Sequence, residues 1–244
     1  MKISEILTPS FRSLREQLGF SKERKPIVES CQASDSDFCR ETMDRGWLTE
    51  EQMAHASERY RLGKSKSGRC IFWMIDELGQ VRDGHLGDTW VSVMLKAREP
   101  ELLRDWSVSH CLFGLHLLLA EEEPQEGIDC RTTMTPVCVV EKERSAVILS
   151  ELFPDNIWLA TVYPMNFSVF SFEPLCGHSV TLFPPTDETM DSYLYWMEVA
   201  DQARRQYKLH ISVSDVLELH ATPEQKRRKI DLVDFLFEAS KDGV

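Results

Sequence analysis

From Pro136 onward, short apolar runs alternate with longer stretches whose apolar residues recur at helical spacing, and few folds accept that pattern. Val137–Glu141 reads as a strand and Arg144–Phe153 as a helix burying Ala146, Val147, Leu149 and Leu152. Ile157–Thr161 and Ser179–Phe183 read as further strands. Glu188–Tyr207 reads as a helix with Met190, Leu194, Met197 and Ala200 on one side. Lys208–Val213 is a last strand, and Thr222–Ala239 a last helix, opened by Thr222-Pro223-Glu224 with proline at the first helical position. Parallel strands need crossover connections of a dozen residues or more, and these helices supply them. The fold class is therefore α/β, a mostly parallel sheet flanked by helices. Two of its strands, or the turns just after them, bring a carboxylate (Glu141 and Asp187) to the C-terminal edge, where open α/β sheets collect ligands.

The preceding residues follow another rule. Residues 1–46 read as a loosely attached, mobile N-terminal segment, polar and rich in Ser and Asp near its end. Residues 47–120 read as a smaller α+β subdomain. Thr49 with Gln52 forms a capping box for a short helix. Arg69–Ile75 and Gln80–Leu86 flank the turn Asp76-Glu77-Leu78-Gly79 as a β-hairpin. Thr89–Lys96 suits strand or helix equally, and Trp106–Ala120 is expected to end in a buried helix. The acidic stretch 121–135, with Pro124 and Gly127, reads as a linker into the α/β domain of residues 136–244.

Charge narrows the partners. A net charge of −12 opposes tight non-specific nucleic-acid binding, yet Arg59, Arg61, Lys64, Lys66 and Arg69 crowd a segment without a single acid. That segment is either a solvated basic loop or a track for phosphates, with salt-sensitive contacts. Lys226-Arg227-Arg228-Lys229 reads as a solvated helix face. Tyr60, Phe72 and Trp73 beside the basic run suit either a core or a base-stacking platform. Seven cysteines without a C-x-x-C pair fit reduced thiols in a cytoplasm and no zinc site. His110 and His116 are expected to pack in a core or on a helix face. The longest apolar run, Cys111–Ala120, is too short for a bilayer, so no membrane role is expected.

Four motifs in order then carry a resemblance. Val140-Glu141-Lys142-Glu143-Arg144-Ser145-Ala146, Trp158-Leu159-Ala160-Thr161-Val162-Tyr163, Leu182-Phe183-Pro184-Pro185-Thr186-Asp187 and Asp231-Leu232-Val233-Asp234-Phe235-Leu236 resemble the successive motifs of toprim domains in primase-like proteins of bacterial mobile elements. Ile71–Gly84 is similar to the hairpin of the primase N-terminal subdomain, and Cys111-Leu112-Phe113-Gly114 to the family's approach to the toprim unit. The likeness spans roughly residues 47–238.

The resemblance implies a toprim-like sheet whose glutamate (Glu141) acts as acid/base or joins Mg²⁺, and whose Asp-x-Asp pair holds the ion. Here Pro185 stands in the first aspartate's place and only Asp187 remains. The glycines after Thr161 are replaced by Val162 and Tyr163, which obstruct phosphate approach. The implied site is degenerate: Glu141 a vestigial acid/base, and Glu141 with Asp187 a weak Mg²⁺ site at most. Each acid also has a structural reading, Glu141 solvated or facing Arg144, Asp187 capping the following helix. Nucleic acid is expected on Arg59, Arg61, Lys64, Lys66, Arg69 and Arg144. The function implied is a catalytically inactive, nucleic-acid-associated or accessory subunit in mobile-element DNA processing. Two other readings stay open: an active Mg²⁺-dependent nucleotidyltransferase or nuclease that recruits Glu188 or Asp191, and a protein-interaction module that touches neither metal nor nucleic acid.

Overall fold

The computed structural model describes residues 28, 31–98, 100–104, 106–121, 135–163 and 167–239. Two four-stranded sheets organise the chain. The first is antiparallel, in the order β1 (Gly63–Lys64), β2 (Cys70–Ile75), β3 (Val81–Leu86), β4 (Thr89–Trp90). It is preceded by α1 (Asp37–Asp44) and α2 (Glu50–Arg59) and followed by α3 (Val91–Arg98). The second sheet is wholly parallel, in the order β6-β5-β7-β8, from β5 (Val137–Val140), β6 (Ile157–Ala160), β7 (Ser179–Leu182) and β8 (His210–Val213). The helices α4 (Glu143–Leu152), between β5 and β6, and α5 (Asp191–Tyr207), between β7 and β8, make two of its crossovers. Three short helices close the chain: α6 (Val216–His220), α7 (Pro223–Arg227) and α8 (Leu232–Ala239).

This is the α/β architecture expected, and β5 and β6 show why. All eight of their residues are buried, as a parallel sheet covered on both faces demands. The capping boxes are also in place: Thr49 and Gln52 bond reciprocally at α2, and Thr222 and Gln225 at α7. The β2–β3 hairpin turns on Gly79 at φ +74°.

Several expectations change. The segment 1–46 is not loose throughout: α1 is capped by Ser36 and buries Phe38, Cys39 and Thr42 in the main core. Residues 1–27 and the linker residues 122–134 lie outside the described residues. The ambiguous run 89–96 is both things in turn, two residues of strand and then α3. The buried helix expected at the end of 106–120 is a 3-10 helix over Leu115–Glu121. The helix expected from Glu188 starts at Asp191, after Met190 at φ 61°. The single C-terminal helix is two, broken where Lys229 takes φ 53° and Asp231 caps α8 with bonds from the amides of Val233 and Asp234. Helix α6 is unforeseen; its five residues are too few to show a period.

One core runs across both sheets. Phe113, from the segment entering the parallel unit, exchanges backbone hydrogen bonds with Ala160 at 2.9 and 3.1 Å, so it extends the β6 edge. Tyr60, fully buried at the end of α2, stacks on Phe113 and donates its hydroxyl proton to the carbonyl of Trp158 at 2.7 Å. Gly114 sits at φ +83°, and a Cβ there would lie 3.0 Å from the Tyr60 ring and 3.1 Å from the Trp158 carbonyl, so glycine is required. Tyr60→Phe keeps the ring but strands that carbonyl. It should cost about 1–2 kcal/mol in chemical denaturation, with the m-value unchanged. A loss below a few tenths would show that the hydroxyl does not join the two units.

Candidate functional site

The C-terminal edge of the parallel sheet is assembled by register. Val139 pairs with Leu182, and the amide of Phe183 donates to the Val139 carbonyl, so β5 and β7 end together. On the other side the amides of Thr161 and Val162 donate to the carbonyls of Val140 and Glu141. Glu141 and the loop 183–187 therefore follow adjacent strand ends, as expected. The side chains then enter different surroundings.

Asp187 is 5% exposed, and its own chain consumes its carboxylate. Oδ1 accepts from the Thr189 amide (3.0 Å), the Thr189 hydroxyl (2.8 Å) and the Asp191 amide (3.0 Å), while Oδ2 accepts from the Ser192 amide (2.9 Å). Burial opposes its charge, yet these bonds, with the Ser192 hydroxyl, outweigh it and hold the carboxyl well below the usual range. The residue caps α5. The loop before it is also pinned: Pro184 and Pro185 are buried, and Thr186 bonds the Ile230 carbonyl through its amide and Glu218 through its hydroxyl.

Glu141 faces the C-terminal segment instead. Burial pushes its carboxyl up to about 7; Lys142 opposes this, and Asp231, Glu143 and Asp234 add to it. Arg144 does not answer it: that guanidinium lies 5.7 Å over the Phe38 ring and 3.5 Å from Glu41. The Lys142 ammonium lies 3.0 Å from Asp231 and 3.8 Å from Asp234. Burial works against that ammonium, but Asp231, Asp234 and Glu141 keep its pKa above the ordinary lysine value. Asp231, 4% exposed, also accepts from the Ser145 hydroxyl at 2.8 Å. The first and last toprim-like motifs thus bind each other through Lys142, Ser145 and Asp231. Asp231 also caps α8, from this buried position tied to the site.

Mg²⁺ requires several oxygen ligands with free lone pairs in octahedral array. Asp187 has its acceptor positions filled, Pro185 offers none, and Glu141 shares its surroundings with an ammonium. Of the substitutes considered, Asp191 accepts from Thr189 at 2.7 Å and Glu188 lies exposed, 3.9 Å from Arg227. Among the described residues no three His, Cys, Asp or Glu side chains gather as metal ligands. The residues present do not fit the ion.

The backbone just after β6 is unusual. Val162 takes φ 71°, a left-handed conformation costly for a β-branched residue, held by its bond to Glu141 and by the hydroxyl of Thr161, which donates to the Tyr163 carbonyl at 2.6 Å. Tyr163 turns outward and its hydroxyl accepts the indole proton of Trp90 at 3.1 Å. Trp90 in turn stacks on His110, with ring centroids 3.9 Å apart, and lies 4.7 Å from His85. His85 reaches Glu143 at 2.5 Å across the two sheets, and His110 lies 3.6 Å from Asp83. Burial opposes the charge on Asp83, but His110, Ser92 and the Gly84 amide hold its pKa below the usual value. This cluster gave no sequence signal, because its members come from five separate segments.

The basic segment forms the turn between β1 and β2. Lys64 pairs with Asp35 at 2.5 Å, and Arg69 donates to the Leu86 carbonyl at 3.3 Å. Lys66 is exposed, while Arg59 and Arg61 are half-buried. Arg144, on α4, is exposed but committed to Phe38 and Glu41. Tyr60, Phe72 and Trp73 are core residues, all at most 6% exposed, and are not a stacking platform. His116 is buried as expected, and burial lowers its pKa to about 4. His110 is half exposed rather than packed away. The six described cysteines are free thiols. Among the described residues no helix is long and apolar enough to cross a membrane.

Two measurements probe this edge. The folded-state pKa of Glu141 lies above a free glutamate's, so its protonated form stabilises the fold below about pH 4, and this is lost as pH rises through 7. Glu141→Gln should therefore gain up to about 3 kcal/mol over the parent at pH 8 and far less at pH 5. Parallel stability–pH curves would contradict this account. Val162→Gly should relieve about 1 kcal/mol of backbone strain and raise Tm by about 2–4 °C; a lower Tm would mean that valine packing outweighs the strain.

Comparison with known proteins adds the following. No curated protein matches the chain. Among solved structures it is similar to the DnaG primase catalytic domain bound to single-stranded DNA, at 12% identity over 88% of this chain and 82% of that one, with a TM-score of 0.48. It is likewise similar to the DnaG catalytic core, at 12% identity over 90% and 83%, with a TM-score of 0.47. A family model described as a domain of unknown function, DUF6371, matches residues 38–186, more than half of the chain and the span that carries both sheets except β8, and on that match the chain belongs to the DUF6371 family.

Proposed function

We propose that this chain is a primase-like protein of toprim type that has given up metal-dependent nucleotidyl transfer and serves as a nucleic-acid-associated accessory subunit in DNA processing, in the setting of bacterial mobile elements that its motifs resemble. The observation that carries the reading is Asp187. Its carboxylate, which the resemblance makes a metal ligand, is spent as the cap of α5, beside a buried proline where the second ligand would stand. The order of strands and the mutual binding of the first and last motifs support the toprim part of the reading. The turn carrying Lys64, Lys66 and Arg69 supports the nucleic-acid part, since basic side chains gather there without an acid in the run. Free thiols fit the reducing cytoplasm in which such a subunit would work.

Calorimetry should find Mg²⁺ binding no tighter than millimolar, and Pro185→Asp should leave it there, because Asp187 keeps its oxygens occupied. Micromolar affinity lost on Asp187→Asn would overturn the proposal. Single-stranded DNA should bind with an affinity indifferent to sequence that falls steeply between low and physiological salt. Changing Arg61, Lys64 and Lys66 together to Ala should reduce it tenfold or more. No binding in the parent at low salt would leave the protein-interaction role as the better reading.

A further inference from the structure

A cavity of about 200 Å³ opens where the antiparallel sheet meets the C-terminal edge of the parallel one. Trp90, His110, Tyr163, Phe167, Ser168 and Ser171 are among its walls. It is smaller than the roughly 300–1,000 Å³ of pockets that take whole drug-sized ligands, and suits a single planar ring. Its aromatic members are not equally available. Trp90 is held by His85 and His110, and its indole N–H is committed to Tyr163. The rings left accessible are Tyr163, 40% exposed, and His110, whose side chain is 47% exposed. Polar atoms for a ring edge are present too. The Tyr163 hydroxyl accepts from Trp90 and keeps its own proton to donate, and so does the Ser168 hydroxyl, which accepts from the Phe170 amide.

The basic turn lies at the same end of the antiparallel sheet as Trp90. Both the β1–β2 turn and the β3–β4 turn lie at the same end of the antiparallel sheet, as the pairings Lys64↔Cys70, Phe72↔His85 and His85↔Trp90 require. Three strand spacings, about 14 Å, separate β1 from β4. Arg69 spans part of that distance, its guanidinium on the carbonyl of Leu86, whose partner Thr89 precedes Trp90. A backbone tracking the basic turn would thus deliver a base to the cavity.

We infer that this cavity is a stacking site for one base of a single-stranded nucleic acid, with Tyr163 and His110 as the stacking rings and Trp90 as the residue that positions them. The inference rests on the nucleic-acid reading above and gives it a contact that is not a phosphate. Such a contact discriminates bases from backbone but tolerates any base, since every base offers a π-face.

The test compares the full-length chain binding a labelled oligothymidylate and an abasic oligomer of equal length at low salt, by fluorescence anisotropy. The parent should prefer the base-bearing strand by about tenfold. Tyr163→Ala should abolish that preference while leaving abasic affinity unchanged, and Tyr163→Phe, which keeps the ring, should retain most of it. His110→Ala should weaken it. Equal binding of the two oligomers by the parent, or a preference that survives Tyr163→Ala, overturns the stacking site and leaves the phosphate-binding reading standing. Failure of both oligomers to bind overturns that reading and the stacking site together.

Discussion

The pairing of Phe113 with Ala160 decides what the rest of the molecule can be. An exposed edge at β6 would leave a row of backbone groups unpaired and the antiparallel unit without a fixed place. With that bridge made, Tyr60 can reach the Trp158 carbonyl, Gly114 becomes obligatory, and helices α2 and α4 pack into one core that includes residues of both sheets. The two units then meet along the end of β6, which is where Thr161, Val162 and Tyr163 leave the strand. The aromatic part of the candidate site lies at that junction. His85 and Glu143 touch across it, and Trp90 from one unit bonds Tyr163 from the other.

At the carboxylate edge, charge is neutralised from within. A toprim-type site concentrates acids because a divalent cation offsets their repulsion. Here Lys142 lies between Asp231 and Asp234 and beside Glu141, burial pushes the Glu141 carboxyl up to about 7, and Asp187 is satisfied by amides and a hydroxyl. Asp231 and Asp234 share the Lys142 ammonium, and Asp187 is bonded by the loop and helix that follow it.

Much of this architecture was legible because periodicity reports burial. The apolar runs at 137–140 and 157–160 and the capping boxes at Thr49 and Thr222 declare themselves through local chemistry. The breaks were not legible. Met190 and Lys229 take left-handed φ although nothing in their residue type asks for it; their conformations are set by Asp187 and Asp231, which terminate one segment and start the next. Asp231 caps α8 locally, but its bond to Ser145 joins positions 86 residues apart and no local signal carries it. The aromatic residues follow the same limit. Tyr60, Phe72 and Trp73 stand beside the basic run in sequence and lie in cores, whereas Trp90, His110 and Tyr163, scattered along the chain, meet at the surface.

Val162 and Tyr163 show how the end of β6 joins the two units. The backbone at 162 takes a conformation suited to glycine, so the path of the chain past the strand end is imposed by its surroundings, through the Glu141 carbonyl, and not by the valine itself. The next side chain, Tyr163, lies toward the antiparallel unit and places its ring against Trp90, with its hydroxyl fixed by the indole proton. A strained residue at the strand end and an aromatic contact between the two units are thus consecutive in the chain, and the strain at 162 is part of what sets the ring at 163 in place.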